Sequence, residues 1–172
     1  DSFEPDPEHF KYQKKKLKKN NYKNIKFFNK AVYDFSGSKN LYRVIDNPFA
    51  NYVEGEKKGY GKLEKIKIKT VDIKKIIKNY DLVKIDAEGS EAKILTQLKK
   101  SIFLKTDFIV EISGAQNAKK ILNHCKKNKI NIFSHKNKWK KVTKIKEMPN
   151  HHTEGLIIIS SEKDYFQFLL RG

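Results

Sequence analysis

Apolar positions along this chain follow two spacings, which together predict strands and helices. Short apolar runs bounded by polar turns indicate buried strands, whereas apolar residues three and four positions apart indicate helices with one buried face. Strands are predicted at residues 25–32, 41–45, 52–54, 63–68, 82–85, 107–112, 130–133, 139–142 and 156–160, with the tail of another at residues 2–4. Helices are predicted at residues 7–19 and 116–127, and beginning near residues 70–72, 90 and 161. A turn is predicted at residues 34–38.

Residues 82–95 form the unit around which the chain is organised. A short apolar strand ends at Ile85, two carboxylates follow at Asp86 and Glu88, and a helical pattern begins at Ser90. Ser90 is a good helix N-cap residue. This succession is a βα unit, and ligands of open α/β sheets bind beyond the carboxyl ends of such strands.

Two interpretations of this acidic turn remain open from spacing alone. The carboxylates of Asp86 and Glu88 could orient a cation, take up a proton or hold a hydroxyl group. Alternatively, they only satisfy the free backbone amides at the start of the following helix.

Glu4 and Glu111 are further acidic residues near strand ends. An acid that closes the second strand of a Rossmann-like fold commonly binds the two hydroxyls of a ribose, which gives Glu4 a possible role. A plain loop glutamate is the alternative. Just beyond, Asp6 suits the N-cap and Pro7 the first position of the next helix.

Other sequence features argue against several kinds of site. His151 and His152 are adjacent, so their side chains point apart, and no third metal ligand has suitable spacing. The glycines of residues 55–61 lack the pattern of a phosphate-binding loop. The single cysteine, Cys125, excludes a disulfide framework, fits the buried face of a helix and is simplest to explain in a reducing cytoplasm.

The formal net charge of +18 could suggest a nucleic-acid-binding protein. However, only Arg43 and Arg171 among the 38 basic residues are arginines, and arginine is favoured for bidentate contacts to phosphates and bases. The lysines are spread over every predicted element. We therefore expect no specific nucleic-acid partner, but weak attraction to anions. No apolar run is long enough to span a membrane, and no secretion signal is visible.

Taken in order, the motifs resemble the FkbM family of S-adenosylmethionine-dependent methyltransferases. The resemblance runs from residue 1 to about residue 160 and rests on the segments DSFEPDPEHF, NKAVYDFSG, KTVDIKKII, LVKIDAEGSEAKIL and FIVEI. It implies an α/β fold of the class I methyltransferase type, a Rossmann-like, mostly parallel sheet with an antiparallel last strand.

The resemblance also implies roles for individual residues. Glu4 would hold the ribose hydroxyls of S-adenosylmethionine, and a segment containing Asn29, Ala31 and Val32 would lie along the adenine. Asp86 would lie beside the methionine moiety and the acceptor. The expected reaction is O-methylation of a small-molecule or glycan hydroxyl, sugar-like or a natural product.

Catalytic roles are assigned to three carboxylates on this basis. Asp86 is the candidate for accepting or orienting the hydroxyl proton. Glu88 would support the acceptor or the backbone, and Glu111 is a further candidate. No metal is expected in the site.

One departure from the family pattern concerns its first strand and glycine-rich loop, for which the sequence shows no equivalent before Glu4. In the implied strand order 3-2-1-4-5-7-6, that strand is the centre of the sheet. We therefore expect a single partial domain over residues 1–172, a fragment with weak or no activity that binds the cofactor weakly or not at all. Glu4 and Asp86 are expected at one edge of one sheet.

Two other functions are compatible with parts of the pattern. A nicotinamide-dependent Rossmann enzyme would also place an acid after the second strand, but it gives no reason for the sequence EGSE and its glycine motif is absent. A non-catalytic basic module that binds anionic polymers would require the lysines to form a continuous stripe on the surface.

Overall fold

The computed structural model of this chain describes residues 1–47, 50–57 and 59–161, without the side chain of His152. The chain divides into two compact units, Asp1–Lys75 and Ile76–Gly172. Both contain helices and strands, and the sheets combine parallel and antiparallel pairs. The structure is therefore a mixed α/β fold, which agrees with the predicted α/β class, although the described strands are not mostly parallel.

The first unit contains a two-stranded and a four-stranded sheet. Its elements are β1 (Ser2–Phe3), α1 (Pro7–Lys19), β2 (Phe27–Phe28), β3 (Ala31–Tyr33), β4 (Gly37–Val44), β5 (Tyr52–Val53), β6 (Leu63–Asp72) and the start of α2 (Ile73–Ile76). Strand β1 pairs in parallel with β2. The second sheet has the order β3-β6-β4-β5, in which only β3 and β6 are parallel.

Helix α1 begins as its sequence predicts. The Asp6 side chain accepts a hydrogen bond of 2.8 Å from the Glu8 amide, and Pro7 occupies the first turn. No residue of α1 is fully buried, as expected of a surface helix. The ring of Phe10 stacks on Phe27 with centroids 4.9 Å apart, which packs the helix against β2.

The single strand predicted at residues 25–32 is wrong. The structure has two short strands, β2 and β3, which belong to different sheets. Between them the Lys30 amide donates to the Phe28 carbonyl over 3.0 Å, and Asn29 turns its side chain toward the backbone of another segment. A ladder cannot continue through residues whose polar groups are engaged in this way.

Strands β4 and β6 pair antiparallel and are longer than the strands predicted at residues 41–45 and 63–68. Their pairing runs from the pair of Gly37 and Thr70 to the pair of Val44 and Leu63, so the predicted turn at residues 34–38 ends earlier. Asp72, the last residue of β6, accepts a hydrogen bond of 2.9 Å from the Lys74 amide and so caps α2. The buried side of this sheet is formed by Ala31, Tyr33, Leu41, Val53 and Ile68.

The second unit is built on one five-stranded sheet in the order β10-β9-β11-β8-β7. Its elements are β7 (Leu82–Ile85), α3 (Glu91–Leu95), α4 (Lys100–Phe103), β8 (Asp107–Glu111), α5 (Ala115–Asn128), β9 (Asn131–Ser134), β10 (Lys140–Lys141) and β11 (Leu156–Ser160). Strands β7 and β8 are parallel, whereas β11 is antiparallel to both β8 and β9.

The core of the second unit is formed by apolar residues of the predicted strands and helices. Phe108 and Val110 of β8 are fully buried, and the ring of Phe103 lies 5.1 Å from that of Phe108. Cys125 on α5 is buried, as predicted, and burial raises the pKa of its thiol to about 12. A thiol with that pKa stays protonated near neutral pH and acts as a small apolar side chain.

The helix predicted to start at Ser161, with Phe166, Leu169 and Leu170 inside, lies outside the described residues. Among the residues that are described, no helix has the length and apolar character needed to cross a membrane. The same part of the chain contains no group of three metal-binding side chains arranged around a common point.

Candidate active site

Asp86 and Glu111 lie at the carboxyl ends of two neighbouring parallel strands. Ile85 of β7 pairs in register with Val110 of β8, and the two acids are the next residue in each strand direction. The exposed fraction of the Asp86 side chain is 39%, and its Oδ2 lies 3.3 Å from Nζ of Lys84. Because both partners of this ion pair are exposed, it holds the carboxylate only weakly.

The turn after Asp86 has an unusual backbone. Glu88 and Gly89 have φ angles of 47° and 109°, in the left-handed region that glutamate rarely adopts. The Ser90 amide donates to the Ala87 carbonyl over 3.1 Å, which closes the turn. Glu88 therefore occupies the tip of a turn whose conformation must be imposed by its surroundings.

Glu91 imposes this conformation and was missed by the sequence reasoning. It is completely buried, and its Oε1 accepts hydrogen bonds from the amides of Gly89, at 2.8 Å, and Ala87, at 3.3 Å. Desolvation raises the pKa of Glu91, opposed by backbone amides and by the nearby Ser113 hydroxyl. Its Oε2 has no hydrogen bond of good geometry to a described residue.

Ser90 was correctly placed before the helix, but its predicted capping role is wrong. Its backbone is already helical, and its buried hydroxyl makes no hydrogen bond among the described residues. Glu91 instead accepts hydrogen bonds from the amides of Ala87 and Gly89, in the turn that precedes α3. Glu91 is the first helical residue and the S/T-x-x-E spacing of a capping box is absent here, so no local motif signals this role.

Asn117 is a second residue that sequence reasoning missed. Its Nδ2 donates to the carbonyls of Gly89, at 2.8 Å, and Ser113, at 2.9 Å, while its Oδ1 accepts from the Ala92 amide at 3.1 Å. It thereby ties the acidic turn to the first turn of α5. No local pattern signals this contact, because Asn117 and Gly89 are 28 positions apart.

In the first unit, Glu4 directly follows β1. Its amide donates to the Phe28 carbonyl over 3.0 Å, and its Oε1 accepts a hydrogen bond of 2.8 Å from the Asp6 amide. Among the described residues, its Oε2 has only a long contact of 3.5 Å, with Nε2 of Gln13. Burial is the main cause that raises the pKa of Glu4, and the Asp6 amide partly opposes it.

The three residues expected along the adenine, Asn29, Ala31 and Val32, differ from one another in their surroundings. Asn29 braces the loop after β1, because its Nδ2 donates to the carbonyls of Glu4, at 2.9 Å, and Pro5, at 3.0 Å. Ala31 is buried in the core of the four-stranded sheet, so any ligand would meet its backbone. Val32 is half-buried on the same strand. Their adenine-binding role stays a prediction.

Arg43 anchors the loop around Glu4 and was also missed as a site residue. Its Nε and Nη2 donate to the two carboxylate oxygens of Asp6, at 2.7 and 2.6 Å. Its Nη1 donates to Glu8 and to Glu64, both at 3.0 Å. The composition contained a signal, since arginine is rare in this lysine-rich chain.

The described strands do not place Glu4 and Asp86 in one sheet, contrary to expectation. Glu4 follows a strand of the two-stranded sheet, and Asp86 follows a strand of the five-stranded sheet. Within the described residues, β1 pairs only with β2, and β7 only with β8. A common sheet would require hydrogen bonds to a strand shared by both, and no described strand supplies them.

Comparison with known proteins identifies a family. The family model described as Methyltransferase FkbM domain matches residues 2–152 of the 172-residue chain. The matched range includes Asp86 and Glu111 at the strand ends, the turn whose amides bond to Glu91, and Arg43 with its carboxylate partners. No curated protein and no solved structure gave a significant match.

Proposed function

Because this chain belongs to the FkbM methyltransferase family, we propose that it transfers a methyl group from S-adenosylmethionine to a hydroxyl oxygen of a sugar-like or natural-product acceptor. The observation that carries the proposal is the pairing of Ile85 with Val110, which leaves Asp86 and Glu111 side by side at strand ends within the matched domain. Ligands of open α/β sheets bind at such edges.

The cofactor assignment is supported by the surroundings of Glu4. Its Oε1 is oriented by the Asp6 amide, whereas its Oε2 makes one long contact within the described part of the chain and retains lone pairs for further donors. The two hydroxyls of a ribose are donors of the required kind. These features fit a nucleoside cofactor, whose methyl group, carried on a positively charged sulfur, is the group to be transferred.

The finer fold, of the class I methyltransferase type, is part of the same proposal. The order β7-β8-β11-β9, with β11 antiparallel to both neighbours, supports it because it matches strands 4-5-7-6 with a reversed strand 7. The parallel pair of β1 and β2 supports strands 2 and 3.

Asp86 is assigned the proton-accepting role. In the reaction the acceptor oxygen forms a bond to the methyl carbon, the carbon–sulfur bond breaks, and the hydroxyl proton must leave. A carboxylate with an exposed fraction of 39%, paired only loosely with Lys84, can accept a hydrogen bond from that hydroxyl and take its proton. Holding the oxygen in line with the methyl group supplies further acceleration.

Glu88 and Glu111 are assigned supporting roles. Glu88 lies two residues beyond Asp86 on the constrained turn, and Glu111 lies on the neighbouring strand, so both can contribute hydrogen bonds to hydroxyls of a polar acceptor. A sugar-like acceptor presents several such hydroxyls. A cytoplasmic setting stays a prediction from the single cysteine.

The proposal is tested with Asp86→Asn, using methyl transfer to a panel of sugar and natural-product alcohols. We expect kcat to fall by about 10²–10⁴-fold, with little change in the Kd for S-adenosylmethionine, because the proton acceptor is lost while cofactor contacts remain. The matched control is Asp81→Asn, which removes an exposed acid just before the opposite end of β7 and should leave kcat within about twofold.

Two results would contradict the assignment. Turnover of folded Asp86→Asn within a few-fold of wild type would remove Asp86 from proton transfer. Binding of S-adenosylmethionine by Glu4→Ala as tightly as by the wild type in calorimetric titration would remove the cofactor assignment.

A further inference from the structure

We propose that Arg43 is a positioning residue for the carboxylate of Glu4, which binds the cofactor, and that it acts through Asp6. The inference rests on the proposed function, in which Glu4 binds the ribose hydroxyls. Arg43 is about 40 positions from Glu4 in sequence and makes no hydrogen bond to it; its effect passes through the loop that Asp6 occupies.

The first step is the contact between Arg43 and Asp6. The guanidinium meets both carboxylate oxygens, at 2.7 and 2.6 Å, in the two-pronged geometry that fixes distance and orientation together. The Asp6 side chain is only 2% exposed, and Nδ2 of Asn51 also donates to its Oδ2 at 3.0 Å. Asp6 is therefore held by three donors from another part of the unit.

The second step connects Asp6 to Glu4. The Asp6 amide donates to Oε1 of Glu4 at 2.8 Å, so the position of the Asp6 backbone sets the orientation of the Glu4 carboxylate. The prolines on either side of Asp6, Pro5 and Pro7, have fixed φ angles and limit how the loop can move independently of Asp6. Fixing the Asp6 side chain thus fixes the donor that orients Glu4.

The third step explains why this residue is an arginine. The chain uses lysine at almost every basic position, yet position 43 has one of its two arginines. Arg43 makes four hydrogen bonds to three carboxylates, those of Asp6, Glu8 and Glu64. A lysine ammonium is a point charge and cannot reproduce the planar fork that meets two oxygens of one carboxylate. The geometry, more than the charge, accounts for arginine here.

Electrostatics support the same contact. Burial alone would raise the pKa of Asp6, but the hydrogen bonds from Arg43 and from the Glu8 amide outweigh it and lower that pKa. The carboxylate therefore stays ionised at neutral pH, and its ion pair with Arg43 persists under the conditions of cofactor binding.

The test uses Arg43→Lys, which keeps the charge and removes the fork. We expect the Kd for S-adenosylmethionine to rise about three- to tenfold, because one orienting hydrogen bond to Glu4 is loosened. We expect kcat at saturating cofactor to stay within about twofold, because Asp86 and the acceptor are untouched. Glu64→Gln is the matched control, since it removes one exposed partner of Arg43 and leaves the Asp6 fork intact.

A double-mutant cycle with Glu4→Gln separates positioning from a general structural effect. If Arg43 acts through Glu4, Arg43→Lys should change the Kd less than twofold once Glu4 has been replaced. If Arg43→Lys raises the Kd by the same factor with glutamate or glutamine at position 4, the proposal is overturned.

A second readout needs no cofactor. Carbon-13 NMR of the Glu4 carboxyl group should show titration at a higher pH in Arg43→Lys than in wild type, because the Asp6 amide lowers that pKa. The other charged groups that act on Glu4, His9 and Asp6, are present in both proteins, and the charge at position 43 is retained. An unchanged Glu4 titration would overturn the proposal.

Failure of the proposed function would look different. Glu4→Gln that binds S-adenosylmethionine like wild type would contradict the cofactor assignment, whereas the Glu4 titration would still decide whether Arg43 positions the carboxylate. If Arg43→Lys does not fold, hydrogen exchange of wild type decides instead. The Asp6 amide should exchange far more slowly than amides of exposed loops, and equally fast exchange would overturn the proposal.

Discussion

At the scale of single residues, Glu91 shows how a buried charge can shape a site without facing the substrate. It is completely buried and bonds the amides of Ala87 and Gly89, and it thereby stabilises the turn on which Glu88 has a positive φ. Desolvation raises the pKa of this carboxyl, so its ionised form costs the folded state free energy.

This pKa predicts a pH-dependent effect of Glu91→Gln. Below pH 4.5 the acid is protonated in both the folded and the unfolded state. As the pH rises toward the higher folded pKa, the unfolded state loses its proton first, and the wild type loses free energy of unfolding that glutamine does not lose. The free energy of unfolding of Glu91→Gln relative to wild type should therefore increase with pH.

Urea unfolding at several pH values between about 4 and 8 measures this difference. Glu91→Ala serves as the contrasting variant: it leaves the amides of Ala87 and Gly89 without their acceptor and should lower the free energy of unfolding by about 1–3 kcal/mol. A difference between Glu91→Gln and wild type that does not vary with pH would show that the carboxyl keeps its ordinary pKa.

At the scale of elements, α5 is capped at its C-terminus by a lysine, Lys129, whose left-handed backbone conformation is unfavourable for this residue type. Lys129 follows the helix with φ 54° and ψ 46°, in the left-handed region where glycine is preferred. The Ile130 amide donates to the Cys125 carbonyl over 2.9 Å, as in a Schellman motif, and the Ile130 side chain is buried. Tertiary packing therefore maintains a conformation that lysine disfavours.

We expect Lys129→Gly to stabilise the protein by about 0.5–1 kcal/mol, because glycine adopts the left-handed conformation without a Cβ penalty. The melting temperature should rise by a few degrees in a thermal unfolding experiment. Lys127→Gly, inside the last turn of the same helix, is the control and should lower the melting temperature, since glycine is poor within helices. A lower melting temperature for Lys129→Gly would contradict this account of the helix end.

At the scale of the whole molecule, the charge of +18 creates a diffuse positive field. Part of it is concentrated on β6, where Lys65, Lys67 and Lys69 alternate with inward residues and are exposed. Lys65 pairs with Glu54 at 2.9 Å, whereas the side chains of Lys67 and Lys69 have no ion pair or hydrogen bond among the described residues. This row of ammonium groups can attract anions, but lysine lacks the planar, bidentate geometry with which arginine recognises bases.

We therefore expect weak binding to polyanions that depends strongly on salt and not on sequence. Two duplex DNAs of unrelated sequence should bind with Kd values within about twofold and weaken in parallel as salt is raised. Fluorescence anisotropy at several salt concentrations measures both, and the double variant Lys67→Glu with Lys69→Glu should reduce the slope with salt. A marked preference for one sequence would favour the alternative of a specific binding module.

The sequence determined features that depend on neighbouring residues. Asp6 and Pro7 start α1 because a capping side chain and a fixed φ act within one turn. The strand that ends at Ile85 and the burial of Cys125 follow from local hydrophobic periodicity. The position of Asp86 at a strand end could be predicted for the same reason.

Only the tertiary structure decided features that depend on which segments pair. Residues 25–32 read as one strand, but Asn29 hydrogen-bonds to the backbone at Glu4 and divides them between two sheets. Arg43 meets Asp6 across 37 positions, and Asn117 meets Gly89 across 28. Each of these hydrogen bonds needs two distant segments to be brought within about 3 Å by the packing of other residues. Local periodicity contains no information on that distance, so the roles of Arg43 and Asn117 could be recognised only from the tertiary structure.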